Sequence, residues 1–548
     1  MKKILIILVA VLVLPQVLLQ DAGSYAADDM PELKLPACEA FRSIYNKRND
    51  IETDKTNGVE GQHTKITVTP ADLPCPLLKY RFNMYVTEME SGNAAPLYSE
   101  AYAKLENTIA QTLKANVYEK PEYAKAQFPE LFNIPLEKQD ENAIEKLSFK
   151  AFPSKSYFRK IWEVVTAEQE EKMFKSLQPV YNLIEKASKK RECDWSYQQK
   201  FWGFSTVLNY VTNIRLLCKY LEDKAEWEIR NGKYDDAVKT IRLGLRVAEH
   251  VEDSDFPCMI TSLIALACRG VMLNDIMLLS AQPDAPNLYP ALTQINRNKN
   301  MYKKGLQMEQ FALFYAESPQ ESQELMERED ELNKEESEKV LKFFAQTIME
   351  GFPNQPSDIF VEDVSEAKIT TAAICLLCYR SGKTQLLKRG LTEAEIDKLS
   401  VYQVVTPFIV EELRIAYDKL IVANTLPIGS KHTAIEFSDD VESIGFDSPV
   451  DLYLQLFIPA VTAANKAILR TEQSIDLLQI TEAIRYYAAF NNGNLPESLD
   501  QIEQLHVNKI GVVNNKPFAY RIEGDKAIID YFILEQDKSR LEITLDKK

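Results

Sequence analysis

Apolar residues recur at three- and four-residue steps through most of this chain, the spacing that lines one face of an α-helix. The most regular block is Phe204 to Ser280. Phe204, Val207, Leu208, Val211, Ile214, Cys218, Leu221 and Ala225 make one stripe, and Ala237, Ile241, Leu245 and Ala248 make a second. Between them, Asn231-Gly232 supplies residues that end a helix, and Asp235 is expected to cap the next one by accepting a hydrogen bond from a free amide. Pro257 opens a third helix that runs through Ile264 and Val271.

Elsewhere the pattern changes character. Residues 28–90 carry Pro, Asp and Thr with weak periodicity and read as an irregular arm in which Lys65 to Val68 forms a short strand. From residue 91 to 350 the pattern is helical, with Tyr98, Ala101, Leu105, Ile109 and Leu113 on one face and a loop marked by Pro121, Pro129 and Pro135. Glu321 to Lys339 is dense in carboxylates, as a solvated helix face commonly is. Gly351 to Asp363 reads as a linker, and residues 351–448 hold a second helical segment with helices near Glu366 to Arg380 and Ser400 to Asn424.

The last module, residues 449–548, has the clearest punctuation. Val461, Ala464, Ile468, Ile475, Leu478, Ile484 and Tyr487 mark one long amphipathic helix. Asn491-Asn492-Gly493-Asn494 tolerates the positive φ of a helix C-terminus, and Pro496 suits the first turn of a new short helix. Phe518 to Ile522 and Ala527 to Ile533 then read as a β-hairpin around Glu523-Gly524-Asp525-Lys526. The fold class expected is therefore mainly α: a helix-pair array with a small C-terminal α+β module containing a hairpin.

The N-terminus bears on compartment. Lys2-Lys3 followed by an apolar run from Ile4 to Leu19 and small residues at Ser24 to Ala27 has the layout of a signal peptide over residues 1–27. The alternative is a retained anchor, but a run of about 16 residues broken by Pro15-Gln16 falls short of the roughly 20 that span a bilayer. Export to the periplasm, envelope or exterior follows as the expectation, with no stable membrane span once the signal is cleaved. The best other apolar stretch by this reading, Ile369 to Leu377, is too short. The formal net charge of −17 disfavours nucleic acid and anionic lipid as partners.

Eight cysteines in an exported chain raise the question of disulfides. Cys38 and Cys75 lie in Pro-rich irregular context and are the candidate pair; closing a loop of roughly 38 residues stabilises by about 4 kcal/mol on chain entropy. Cys218, Cys258, Cys268, Cys375 and Cys378 lie in apolar helical patterns, where a thiol acts as a small hydrophobe.

Candidate chemistry is sparse. Ser381-Gly382-Lys383-Thr384 resembles the end of a phosphate-binding loop but has Leu377 where that loop needs a glycine, so Gly382 is read as a helix stop. Cys375-Leu376-Leu377-Cys378 has redox spacing in what reads as mid-helix. His63, His250, His432 and His506 form no metal-binding or nucleophile motif. The acidic loop of Asp439, Asp440, Glu442, Asp447 and Asp451 matches no calcium-binding spacing. No catalytic, cofactor or metal residue is assigned.

Two resemblances add to this. Gly232-Lys233-Tyr234-Asp235-Asp236-Ala237 is similar to the inter-helix turn of a tetratricopeptide repeat; a single unit leaves repeat array and bundle both open. The runs TEAIRYYAAFNNGNLPESLDQI and KPFAYRIEGDKAII resemble the closing segment of a family of exported, uncharacterised helical proteins of planctomycete-type bacteria. Looser likeness lies at Gly92 to Leu105, Cys193-Asp194-Trp195, Asn231 to Val238 and Thr425-Leu426-Pro427, and Val512 to Lys516 departs from the family's usual turn. The family implies export and helical architecture and carries no catalytic residues. The function expected is an interaction or envelope-associated scaffold with a protein partner. The alternative is an extracytoplasmic hydrolase using distant carboxylates such as Asp439, Asp440 or Asp194.

Overall fold

The computed structural model describes residues 51–54, 61–119, 167–195, 209–253, 258–297, 332–351, 366–425, 449–513, 515–532 and 538–546, with isolated positions at 304, 305, 307 and 328. Residues 1–27, Cys38, His432 and the acidic loop at 439–447 lie outside these residues. The chain is mainly helical, as the apolar periodicity implies, with a small sheet formed largely by its C-terminal module.

In chain order the helices are α1 (Ala95–Glu119), α2 (Ala167–Ser176), α3 (Gln178–Ser188), α4 (Asn209–Arg230), α5 (Tyr234–Glu252), α6 (Met259–Ser280), α7 (Tyr289–Leu292), α8 (Lys334–Gly351), α9 (Glu366–Lys388), α10 (Glu393–Ile396), α11 (Val401–Thr425) and α12 (Pro449–Phe490). The strands are β1 (Ile51–Asp54), β2 (Gly61–Val68), β3 (Glu90–Asn93), β4 (Lys190–Glu192), β5 (Ala519–Glu523), β6 (Lys526–Phe532) and β7 (Lys538–Leu545).

Helices α4, α5 and α6 pack against one another, and their stripes meet as periodicity requires: Ile214, Leu221, Ile241, Ala248, Ala265 and Ile276 share one core. Gly244 lets α6 come close, because a Cβ there would lie 2.1 Å from Met272 Sδ. Helix α6 corrects one expectation. It is long and apolar enough to cross a membrane by length and composition, which Ile369 to Leu377 was thought to approach best, yet 72% of its most apolar window is buried inside this core. A helix apolar all round fits a core centre as well as a bilayer, and here neighbouring helices cover it.

A second core forms where α8, α9 and α11 meet, filled by Leu341, Phe344, Ile374, Val405, Ile409 and Tyr417. Gly382, expected to stop a helix, lies inside α9 instead. Its missing Cβ permits a close approach to α11: a Cβ would sit 2.2 Å from the Val404 carbonyl oxygen.

The third core lies under a five-stranded sheet of order β1-β2-β7-β6-β5. The expected hairpin is β5 and β6, which pair antiparallel with Glu523 opposite Lys526. Beyond the hairpin, β7 pairs with β6, and β2 lies parallel to β7 with His63 opposite Arg540. Period-2 alternation sorts the faces. Ile66, Val68, Ala527, Ile529, Tyr531, Leu541 and Ile543 turn onto Ile480, Ile484 and Ala488 of α12. The opposite face carries ions: Asp530 is 2.7 Å from both Arg521 and Arg540. Burial alone would raise that carboxyl, but the two guanidiniums outweigh it and hold it below the ordinary range.

Helix α12 joins these cores. Its 42 residues span about 63 Å; Ala467, Ile475 and Leu478 face the α4–α6 core, and residues from Leu477 to Ala488 face the sheet. It ends as expected: Asn492 and Gly493 adopt φ of 53° and 71°, and the Gly493 amide donates to the Ala488 carbonyl. The next helical turn begins at Leu499, three residues later than Pro496 implied.

Glu482 and Arg485 on α12 form the joint between modules, and neither side chain reaches solvent. Arg485 donates to Glu482 at 2.8 and 2.9 Å and to the backbone carbonyls of Thr69, Ala285 and Pro286. Glu482 also accepts from the Ser280 hydroxyl and the Leu288 amide. Three segments far apart in sequence, at Thr69, Ser280–Leu288 and Glu482–Arg485, are thus fixed by one ion pair whose hydrogen-bonding groups are satisfied, the condition under which a buried charge is tolerated.

Candidate functional site

Sequence places its most distinctive helix turn at Asn231 to Asp236, and the structure places a cleft there. Gly232 adopts φ of 68°, and α5 starts at Tyr234 with no side-chain cap on its N-terminus. Asp235, expected to cap it, accepts a 2.7 Å hydrogen bond from the Tyr80 hydroxyl instead and lies 3.6 Å from Lys79. The carboxylate of the first turn is therefore drawn outward to the N-terminal segment. Tyr80, Lys233, Tyr234, Asp235, Asp236 and Asp284 line an open cleft of about 320 Å³. Lys233 Nζ stands 4.1 Å over the Trp227 ring, and Lys239 pairs with Asp236 at 2.9 Å. Three carboxylates give the cleft an acidic character suited to a cationic group; its openness leaves them solvated, with none of the dehydration that general acid catalysis exploits.

Behind it, the core holds charge. Lys224 donates to Glu228 at 2.5 Å, and Glu228 accepts from Thr240 at 2.6 Å. Burial pushes the Glu228 carboxyl up, against the pull of Lys224. Arg269 on α6 pairs with Glu252 at 2.8 Å, both almost wholly buried. Along the seam between α4 and α6 lie Arg215, Cys218, Lys219, Glu222 and Glu226 on one side and Cys268 and Asp275 on the other. Asp275 is buried with its Oδ2 unpartnered. Burial first, and then the Glu222 and Glu226 carboxylates, push it well above the ordinary aspartate range, so it is held neutral.

The described histidines hold structure together. His250 Nε2 lies 2.9 Å from the Lys190 carbonyl and Nδ1 lies 2.7 Å from the Tyr98 hydroxyl. A carbonyl only accepts, so Nε2 carries the proton and Nδ1 accepts from tyrosine. Burial, then the nearby Arg246 charge, pull this imidazole down to about 3 and keep it neutral. With Arg246 donating to the same carbonyl, it fixes β4 beside β3. His63 on β2 lies 3.5 Å from Glu542, and the His506 backbone carbonyl accepts from Tyr289.

The remaining singled-out residues do not converge. Asp194 is exposed, and its backbone exchanges hydrogen bonds with the Asn93 side chain, while Cys193 beside it is buried in the main core. Cys375 and Cys378 lie within α9, and burial pushes the Cys375 thiol up, opposite to redox activation. Cys75 is exposed; its candidate partner Cys38 lies outside the described residues, as do Asp439 and Asp440. Among the described residues no group of three or more His, Cys, Asp or Glu side chains is arranged to hold a metal ion.

No family model, curated protein or solved structure matches the chain.

Sequence reasoning missed the Glu482–Arg485 joint and the seam between α4 and α6. One signal was present for the joint: charges three residues apart on α12, flanked by Leu477, Leu478, Ile480, Ala483 and Ile484. An acid and a base inside so apolar a run are candidates for a buried pair. For the seam, the charges Arg269 and Asp275 within the largely apolar run of α6 gave the hint.

Proposed function

We propose that this chain is an exported protein-interaction scaffold of the cell envelope, whose docking surface includes the outer side of α9. The carrying observation is that α9 is apolar on two opposite sides. Ile374, Cys375, Cys378 and Leu386 face inward, while Leu376 and Leu377 on the outward side are 82% and 67% exposed. A surface helix is ordinarily polar on its outer face, and clustered exposed apolar side chains mark association sites. Leu387 on the same helix and Val401 at the start of α11 are exposed as well.

Export is supported by the signal-like residues 1–27 and by the resemblance of the C-terminal module to exported planctomycete-type proteins. The antiparallel pair α4 and α5, with its tetratricopeptide-like turn, is an architecture that commonly presents binding surfaces, which is support by analogy of fold. The hydrolase reading has less behind it, because the described carboxylates of the cleft are solvated or already paired.

The test is crosslinking and affinity recovery of the tagged protein from native envelopes, comparing wild type with Leu376→Asp/Leu377→Asp. Recovery of a stoichiometric protein partner by wild type and its loss from the variant is the expected result. Equal recovery by both places docking elsewhere, and a monomer without partner in both removes the scaffold reading.

A further inference from the structure

The seam between α4 and α6 holds a pair of thiols. Cys218 and Cys268 are both buried at 2% exposure in one core, where the two thiols interact, and the helices that carry them pack directly on each other. We propose that Cys218 and Cys268 form a disulfide site that ties α4 to α6 across α5 when the chain folds under oxidising conditions. In the finished core the neighbouring Cys268 and then burial push the Cys218 thiol well up, so the folded pair rests as thiols.

The chemistry is thiol–disulfide exchange with an external disulfide, either a small molecule or an oxidoreductase. Cys268 thiolate attacks one sulfur of the donor, the donor's S–S bond breaks, and the released thiolate takes up a proton. Cys218, on losing its proton, attacks the Cys268 sulfur of the mixed disulfide; the intrachain S–S bond forms and the second donor thiolate departs. Two protein thiols are oxidised and one external disulfide is reduced. In the closed core both sulfurs are out of reach, so the exchange belongs to folding, before α6 is fully seated. The bond links residues 50 apart in numbering, a separation at which a crosslink markedly restricts the unfolded chain.

Use of the site in the cell rests on the export proposed above, whereas refolding tests the site itself. The full chain is reduced, unfolded, refolded in glutathione buffers from fully reduced to fully oxidised, alkylated in denaturant and mapped by mass spectrometry. The expected result is a Cys218–Cys268 linked peptide that dominates in oxidised glutathione, with a melting temperature higher than that of the reduced protein by on the order of 5–10 °C. The variant C218A/C268A should lose that redox dependence, and C375A should keep it. Alkylation of both thiols at every glutathione ratio overturns the proposal, as does a redox-dependent melting shift that survives in C218A/C268A. A linked pair in vitro with free thiols in protein recovered from cells would overturn export and leave the site standing.

Discussion

The α4–α6 core with its joint to α12 and the block of α8, α9 and α11 are both helical, but they specify their packing differently. The first buries ions: Glu482 with Arg485, Glu252 with Arg269, Glu228 with Lys224. The second is filled by aliphatic and aromatic side chains, and its closest helix approach is set by the bare backbone of Gly382. Buried ion pairs add little net stability over apolar replacements but penalise any arrangement that separates them. The joint therefore has one tolerated geometry. An apolar block accepts substitution of similar volume, and it shows apolar side chains on its outer face at Leu376 and Leu377.

The sharpest way to break this contrast is Glu482→Ala, which strands the Arg485 charge in the core. A loss of about 3–5 kcal/mol is expected in denaturant melts, with weakened amide protection in both the sheet and α6; an effect under about 1 kcal/mol would mean that the backbone carbonyls suffice.

Next come two glycines. Gly382→Ala forces a methyl onto the Val404 carbonyl, so α9 and α11 must separate, at about 1–3 kcal/mol despite alanine's better helix propensity. Gly244→Ala meets the flexible Met272 thioether, which can turn aside, and should cost less. Parallel thermal melts of the two variants decide the order.

Gly493→Val places a β-branched residue at φ 71° and should cost about 1–2 kcal/mol, read as a lower melting temperature.

The subtlest effect is in pH. Asp275 is held neutral in the fold, so the native chain binds a proton that the unfolded chain releases near the ordinary aspartate value of 3.8. Its contribution is fully present below that value and declines as pH rises towards the raised folded value. Asp275→Asn should flatten that decline in melting temperature between pH 4 and 8, and a slope identical to wild type would show that Asp275 is charged in the fold.

Much of the local architecture was legible, because periodicity and helix ends are encoded within a few residues. The stripes of α4 and α5, the stop at Gly232, the end of α12 at Gly493 and the β5–β6 hairpin are all of this kind. What failed was settled by partners distant in sequence. Asp235 was expected to cap α5, but Tyr80 takes its carboxylate. Gly382 looked like a terminus because its close approach to Val404 leaves no local trace. Neither β7 nor its pairing with β2 was foreseen, since nothing near Lys65 announces Glu542. Of the candidate chemistry, the buried setting of Cys218, Cys258, Cys268, Cys375 and Cys378 was readable in advance; the joint and the pairing of thiols in the seam depend on which helix faces meet.

The parallel pairing of β2 with β7 also sets an order of events. Residues 61–68 pair with β1 close by in sequence, but their other edge lies against 538–545, the middle strand of the sheet, so that edge has no partner until those distant residues have emerged. A polypeptide threaded from its N-terminus leaves that segment waiting while α4, α5 and α6 assemble from local contacts. Arrival of β7 then completes the sheet and encloses Arg485 against the Thr69 carbonyl. Completion of the sheet accordingly waits for Lys538–Leu545, and a chain stopped before Lys538 would keep its helices while leaving β2 with β1 as its one neighbour.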